Sequence, residues 1–274
     1  SWSSTYSPQM DGFSEPITWS RNFDDEEIDD EEVVPLPDVS FKLTDAGQGL
    51  LQNNQLKTKL LLIGTRTAAS VFLHANYEDK TLLGEFEISK FGSSVVELRQ
   101  ASINHKTNKL YAPNGVALNA DGHHDVLIFV SQAAPVEALQ RLTQQLFATI
   151  DADQIVIFDT LPCSTYLAGV RHPVPTVRQI CTLAAREENT SSVAYLEAPV
   201  LVDRLAAAVL QYSQLRNMKA VAYISLEDDL YLESSTIIAF EPCLKHHTVH
   251  PPSSTSYNTL LKKVVTHRPN SLFA

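Results

Sequence analysis

The sequence has no long apolar run, few cysteines and no dense cluster of basic residues. No hydrophobic stretch approaches the roughly 20 residues that a bilayer-spanning helix needs. The N-terminus also lacks the basic-then-apolar layout of a secretory signal. We therefore expect a protein with no membrane partner that works in the cytoplasm and also has access to the nucleus.

Basic residues are scattered, and no cluster of them is larger than the pair Lys262-Lys263. Binding to a phosphate backbone needs a dense basic face, so we expect no nucleic-acid partner. The formal net charge of -11 comes largely from the run Asp24–Glu32, which holds eight of the 32 acids. Without that run, 24 acids face 21 bases, and the remaining chain is nearly balanced.

Only three cysteines occur, at positions 163, 181 and 243. An odd number of widely spaced cysteines suits a reducing compartment and excludes a full disulfide framework. We expect reduced, mostly buried thiols.

The first 35 residues combine serine, proline and acids with few aliphatic side chains. Such a segment buries too little surface to offset the entropy of ordering, so residues 1–35 are predicted to form a disordered acidic arm. Its acidic run either solubilises the chain or attracts the basic surface of a partner.

Residues 36–267 are predicted to form one α/β domain. Leu60–Ile63, ending at Gly64, is typical of a buried strand, and Leu82–Ile88 is strand-like. Ser70–Ala75 is also strand-like, but Thr67–Leu73 could equally open a helix. Val126–Val130 and Ile155–Phe158 are apolar runs typical of strands covered on both faces. Between these two runs, a helix that starts at Pro135 is predicted from one apolar stripe, formed by Val136, Leu139, Leu142, Leu146 and Ile150.

The strand, helix and strand at positions 126–158 favour a parallel βαβ unit, and the unit recurs in part further along the chain. A helix is predicted from Pro199, a buried strand at 219–226, helices at 236–244 and 257–265, and a loop at 251–256. The apolar face of the helix from Pro199 is formed by Leu201, Leu205, Ala208, Tyr212 and Leu215. These elements predict a mostly parallel sheet flanked by helices.

Acids at strand ends give the strongest indication of an enzyme. Asp159 follows one predicted strand and Glu227-Asp228-Asp229 follows another, where open α/β sheets bind ligands. Such acids would hold Mg²⁺ or a phosphate ester; alternatively, they cap a helix or solvate a turn. Asp159 and Asp228 within about 6 Å of each other, with their pKa values pushed apart, would favour a small-molecule phosphorylase or phosphohydrolase.

Other candidate chemistry rests on weaker patterns. His246, His247 and His250, and separately His123 and His124, are either metal ligands or solvated loop residues. Gly64-Thr65-Arg66-Thr67 follows a strand but lacks the second glycine and lysine of a phosphate loop, and no Gly-x-Ser-x-Gly elbow occurs. Cys163 and Cys181 near His172 suggest either a thiol nucleophile or structural cysteines. We predict no catalytic residue, metal or cofactor.

Several segments of the second half resemble the proteasome assembly chaperone 1 family. The similar segments are 196–199 (Leu-Glu-Ala-Pro), 205–214, the strand from Lys219 and 239–244 (Ala-Phe-Glu-Pro-Cys-Leu). Weaker similarity covers 59–159 and the closing Leu260-Leu261-Lys262-Lys263, so about residues 59–274 are included.

The resemblance implies a three-layer α/β domain of the phosphorylase/hydrolase-like type that is used without catalysis. It also implies a heterodimer with proteasome assembly chaperone 2 that binds proteasome α-subunits and sits on the outer face of the α-ring during assembly of the 20S core particle. There it would promote correct ring formation and hold back off-pathway α-ring dimers.

The family's proteasome-binding tails resemble the HbYX pattern, and this chain ends Leu272-Phe273-Ala274. The resemblance implies that residues 268–274 form a flexible tail. Leu272 would fill an apolar slot, Phe273 would pack its ring, and the Ala274 carboxylate would meet a lysine. Phenylalanine departs from the pattern because it lacks the hydroxyl of tyrosine, and one hydrogen bond worth about 0.5 to 1.5 kcal/mol would be missing.

Overall fold

The computed structural model describes residues 37–88, 108–114, 123–131, 134–162, 175–198, 200–227 and 234–247. All of them belong to a compact unit that spans Pro35–Ala274. The predicted arm at 1–35, the predicted helix at 257–265 and the predicted tail at 268–274 lie outside the described residues. Within these ranges, no helix is long and apolar enough to cross a membrane.

The described residues form an eight-stranded sheet and several helices. The strands are β1 Val39–Leu43, β2 Leu56–Thr65, β3 Lys80–Ile88, β4 Lys109–Pro113, β5 His124–Ser131, β6 Ile150–Pro162, β7 Thr176–Cys181 and β8 Ala220–Glu227. The helices are α1 Asp45–Gln48, α2 Arg66–Asn76, α3 Leu139–Thr149, α4 Leu183–Arg186, α5 Arg204–Leu215, α6 Ser234–Ile238 and α7 Glu241–His247, with a 3₁₀ turn at Val136–Ala138.

The sheet is mixed, with the strand order β1-β3-β4-β5-β2-β6-β8-β7. Its four central strands, β5, β2, β6 and β8, run parallel. The outer strands pair antiparallel. The prediction of a mostly parallel sheet is therefore wrong: it rested on the central apolar runs. Among the outer strands only part of β3 was predicted, and the sequence did not reveal that it pairs antiparallel.

Helices cover both faces of the sheet. Side chains alternate along each strand, so Leu61 and Ile63 pack on one face while Leu60 and Leu62 pack on the other. The first face is covered by α3 and α5, and the second by α2, α6 and α7. Because both faces are covered, the runs Leu60–Ile63, Val126–Val130 and Ile155–Phe158 within the central strands are apolar, as the sequence predicted.

The predicted strand, helix and strand of the middle segment are confirmed, with two corrections. Pro135 precedes the 3₁₀ turn rather than opening the helix, and Val136 is 68% exposed. Ile150 begins β6 instead of ending the helix. The chain crosses from β5 to β6 over β2, which lies between them.

The helix predicted from Pro199 begins later, at Arg204. Its buried residues are Leu205, Ala206, Val209 and Ser213, whereas Leu201 is 82% and Leu215 78% exposed. The apolar spacing continues upstream of the true start, so periodicity alone placed the start too early. Pro199 itself lies outside the described residues.

The structure also shows the secondary structure of the segments 67–75 and 236–244. Segment 67–75 lies in α2, so the helical alternative is confirmed. The predicted helix at 236–244 is two short helices, α6 and α7, separated at Ala239 and Phe240. Phe240 is fully buried between them.

Candidate functional site

The carboxyl ends of β2 and β6 form the candidate site. These strands are parallel neighbours, and α2, which directly follows β2, lies on one face while α5 lies on the other. In open α/β sheets, ligands commonly bind beyond the carboxyl ends of two neighbouring parallel strands whose helices lie on opposite faces of the sheet. Arg66, the first residue of α2, and Asp159, within β6, meet at this position.

Arg66 lies at this edge of the sheet and pairs with two carboxylates. Its Nε lies 3.2 Å from Oδ1 of Asp159, and its Nη2 donates a hydrogen bond to Oδ1 of Asp203. The Asp159 side chain is only 1% exposed, and that of Arg66 is 20% exposed. The arginine therefore covers the buried acid and connects it to the residue just before α5.

Burial dominates the electrostatics of Asp159. It raises the pKa of this carboxyl to about 6, although Arg66, the Thr65 hydroxyl and the backbone N–H of Thr160 all act to lower it. Oδ1 accepts a hydrogen bond of 2.9 Å from Thr160 N–H. Oδ2 has no hydrogen-bond partner of normal geometry in the described part of the chain, because the Thr65 hydroxyl donates to the Phe158 carbonyl oxygen.

The backbone around this ion pair is unusual. Arg66 has φ 60 and Arg204 has φ 52, in the left-handed region that non-glycine residues rarely adopt. Both are the first residues of their helices. Conformations of this kind cost on the order of 1 to 3 kcal/mol and often mark functional positions.

The structure corrects the position predicted for Asp159. The residue lies buried inside β6 rather than after it, so it neither solvates a turn nor caps a following helix. The Arg66 guanidinium lies beside the Asp159 carboxylate, where the Mg²⁺ of the predicted site would have to bind. Asp228 and Asp229 lie outside the described residues, so the predicted approach of Asp159 to Asp228 stays a prediction.

The glycine of the weak phosphate-loop pattern has a packing role. Gly64 lies in β2, where an added Cβ would come within 2.9 Å of Leu73 Cδ1 and 3.2 Å of the Ala69 carbonyl oxygen. The missing side chain lets α2 lie directly on the strand.

Two of the candidate histidines are not solvated loop residues. His124 is buried at the start of β5. His247 ends α7, where Tyr223 OH and Gln154 Nε2 lie 2.8 and 3.1 Å from its ring nitrogens. Burial and the neighbouring His246 lower the pKa of His247 to about 4, so the ring stays neutral. Among the described residues, no group of three His, Cys, Asp or Glu side chains could hold a metal ion.

Two of the three cysteines lie within the described residues. Cys243 is buried, and burial raises its pKa to about 12. Cys181 is free and partly exposed. Cys163, His172 and His250 lie outside the described residues, as do the predicted tail residues Leu272, Phe273 and Ala274.

Sequence reasoning missed Arg66 as the partner of Asp159, and it missed Asp203 as the second carboxylate that pairs with Arg66. Arg66 and Asp203 are separated by 137 positions in the chain. The one local signal was Arg66 directly after a strand that ends in glycine and threonine.

Fold and site together define a mixed-sheet α/β protein in which an arginine pairs with a buried aspartate at the carboxyl ends of the central strands. A family model described as Proteasome assembly chaperone 4 matches residues 123–271, more than half of the chain. The chain therefore belongs to the proteasome assembly chaperone family.

Individual relatives agree with this assignment. The chain is 24% identical over 242 residues to Proteasome assembly chaperone 1 of Dictyostelium discoideum, covering 86% of each chain. It is 32% identical over 129 residues to Proteasome assembly chaperone 1 of Xenopus laevis, covering 44% of each.

The fold is similar to that of PbaA from Pyrococcus furiosus, an archaeal homolog of proteasome-assembly chaperone. The TM-score is 0.54 at 11% identity, covering 84% of this chain and 88% of the other.

Proposed function

We propose that this chain is a chaperone for assembly of the 20S proteasome core particle. It binds α-subunits and the α-ring as a heterodimer with proteasome assembly chaperone 2, in the cytoplasm and nucleus. The observation that carries the proposal is the match to an assembly chaperone over 86% of both chains, together with the family match at 123–271. The fold is of the phosphorylase/hydrolase-like type, used without a cofactor.

A binding role without catalysis is supported by the crevice at the carboxyl edge. In an enzyme of this architecture the crevice would hold substrate. Here Arg66 lies over Asp159 and takes up the position that a cationic group would occupy. The alternative, a phosphorylase or phosphohydrolase, would need Arg66 to leave and a second acid to approach Asp159.

The terminal residues 272–274 provide a second element of binding. Burial of Leu272 and Phe273 contributes about 3 to 6 kcal/mol, but ordering the tail costs about 1 to 2 kcal/mol per residue. One tail alone therefore binds weakly. The paired chaperone supplies further contacts at high effective concentration.

Affinity purification of the tagged chain from cytosol tests the proposal. We expect recovery of a paired chaperone together with free α-subunits. Absence of both, combined with turnover of a phosphate ester or nucleoside by the purified chain, would favour the enzyme alternative and overturn the proposal.

Deletion of residues 272–274 tests the tail. We expect weaker binding to assembled core particles, measured by surface plasmon resonance, since both apolar contacts and the terminal carboxylate are lost. As a matched control, Phe273→Tyr supplies the missing hydroxyl and should tighten binding about 2- to 10-fold. Unchanged binding by the deletion variant would remove the tail from the mechanism.

A further inference from the structure

We propose that the outer edge of β1 is a contact surface between two copies of this chain. In the dimer, β1 of each copy pairs antiparallel with β1 of the other about a two-fold axis at Phe41, so that the two sheets join into one. The inference is separate from the proposed function, because it concerns the purified chain without any partner.

The backbone groups of Phe41 point away from the rest of the sheet. β1 is the outermost strand and pairs with β3, and Phe41 lies opposite Phe86 in that pairing. Phe86 N–H donates to the Asn108 carbonyl oxygen at 2.8 Å, so the backbone groups of Phe86 face β4 and not β1. Because hydrogen-bonded and non-bonded pairs alternate along antiparallel strands, the N–H and C=O groups of Phe41 face outward, as do those of Val39 and Leu43. Within the described ranges, no backbone group pairs with Phe41 on this outer side.

The other border of the sheet is covered by the chain itself. β7 is the outermost strand there, and Gln179 N–H donates to the Ala194 carbonyl oxygen at 2.9 Å. Leu196 N–H donates to the Gln179 carbonyl oxygen at 2.8 Å. Edge strands with free backbone groups are templates for pairing with another strand, and native proteins usually cover or blunt them. The contrast with β7 therefore singles out β1 as the edge that can accept a further strand.

The sequence of β1 complements itself on the face that packs on the core. Val39, Phe41 and Leu43 all contribute to the core cluster of that face, and Phe41 and Leu43 stay partly exposed at the border. In an antiparallel pair centred on Phe41, the two phenylalanines lie side by side and Val39 lies beside Leu43 of the other copy. The two Phe41 residues exchange backbone hydrogen bonds, and Leu43 N–H donates to the Val39 carbonyl oxygen. The Val39 N–H keeps the 3.0 Å hydrogen bond to Asp38 Oδ1 that it has in the single chain.

The opposite face of β1 carries charges that are already compensated within one chain. Lys42 Nζ lies 2.6 Å from Glu87 Oε2, and Lys109 Nζ lies 3.1 Å from Glu85 Oε1. These four side chains leave no net charge on this part of the face. In the dimer, Lys42 lies directly opposite the exposed Ser40 of the other copy, so no two charges of equal sign lie directly opposite each other. This match of the strand with itself favours a second copy over an unrelated strand as the occupant.

The contact should be weak. A pair of five-residue strands is small beside the roughly 1,200 Å² or more that stable interfaces bury. We therefore expect a dissociation constant in the micromolar range, so that the dimer is populated at high concentration or where two copies are held close together.

The test uses substitutions of Ser40, which lies opposite Glu87 in its own chain and opposite Lys42 of the other copy in the dimer. Ser40→Lys puts two lysines opposite each other across the contact, whereas Ser40→Glu puts a glutamate opposite a lysine. We expect Ser40→Lys to raise the dissociation constant about 2- to 30-fold and Ser40→Glu to lower it by a similar factor, because each change acts twice in a two-fold dimer. Analytical ultracentrifugation of the full chain from about 1 to 500 µM measures this constant.

The same substitutions should act in the opposite direction on the fold. Within one chain, Ser40→Lys faces Glu87 and should keep or raise the melting temperature at low concentration, whereas Ser40→Glu faces a like charge and should lower it slightly. Loss of stability therefore cannot mimic the expected change in dimerisation. Gln211→Lys and Gln211→Glu are the matched controls: Gln211 is exposed on α5, which packs on β6 and β8, so both variants should leave the dissociation constant unchanged.

Amide hydrogen exchange locates the contact. The amides of Phe41 and Leu43 should exchange more slowly at high concentration than in the dilute chain, because they face the other copy. The amides of Ser40 and Lys42 face β3 and should exchange equally slowly under both conditions.

A chain that stays monomeric up to about 500 µM would overturn the inference. The same holds for a dimer in which both Ser40 variants shift the dissociation constant in one direction, or in which the Phe41 and Leu43 amides exchange as fast as in the dilute chain. Protection of these amides only when another protein is co-purified would show that the edge binds a different strand, and would overturn the second copy as its occupant. None of these outcomes bears on the proposed function, which is tested by recovery of partners.

Discussion

Asp159→Asn should make the stability difference between variant and unaltered chain depend on pH. The aspartate has a pKa of about 6 in the folded protein against an ordinary value of 3.8. A raised pKa means that the folded state binds the proton more tightly than the unfolded state does. Stability from this group is therefore present below pH 3.8 and is lost as the pH rises through about 6.

Above pH 7 the full loss of folding free energy from Asp159 amounts to about 3 kcal/mol, since each pKa unit corresponds to about 1.4 kcal/mol. Between pH 5 and pH 8, the window in which most domains stay folded, the linkage relation gives about 1.4 kcal/mol of that total. Asparagine carries no charge to desolvate. The variant should therefore gain about 1.4 kcal/mol relative to the unaltered chain over this window, whatever constant difference separates the two at pH 5.

Urea unfolding followed by circular dichroism at pH 5, 6, 7 and 8 measures this difference directly. Arg66→Gln is a second variant, and it should raise the pKa of Asp159 further. Loss of the guanidinium removes the largest influence that lowers the pKa of Asp159, so the pH-dependent loss of stability should move to higher pH. A difference for Asp159→Asn that stays constant, or shrinks as the pH rises, would mean that the ion pair outweighs burial and would refute the reasoning.

Two further substitutions test the packing on the second face of the sheet. Gly64→Ala should lower the free energy of unfolding by about 1 to 3 kcal/mol in urea melts, because the added Cβ would meet Leu73 Cδ1 at 2.9 Å. Gly49→Ala is the matched control. Its added Cβ would have its nearest neighbour 3.8 Å away, so this variant should not be destabilised. Tyr223→Phe should cost about 1 to 3 kcal/mol because it leaves a ring nitrogen of His247 without its 2.8 Å partner; an unchanged midpoint would contradict the inferred hydrogen bond.

Local patterns located the centre of the sheet but not its borders. The runs at 126–130 and 155–158 are apolar throughout because helices cover both faces of the sheet, and the sequence alone reveals this. The outer strands β1 and β7 were missed. Each pairs on one side only and mixes buried with exposed residues, so neither gives a continuous apolar run.

The helix in front of β8 was predicted, but its first residue was misplaced for a physical reason. Val200 and Val202 pack against the core without being helical, so they extend the apolar pattern upstream of Arg204. What fixes the true start is Asp203, whose partner Arg66 lies 137 positions earlier in the chain. Periodicity within one segment contains no information about such a contact.

The same ion pair links the unfavourable burial of Asp159 to the start of α5. A protein selected for stability alone would not place a carboxylate 1% exposed with a pKa near 6 under a sheet edge. Yet without Asp159, Arg66 would have one carboxylate fewer to hold it at this edge, and Asp203 would be less firmly fixed. On this reasoning Asp159→Asn should gain stability relative to the unaltered chain as the pH rises from 5 to 8, while Arg66 loses one of the two carboxylates that hold it.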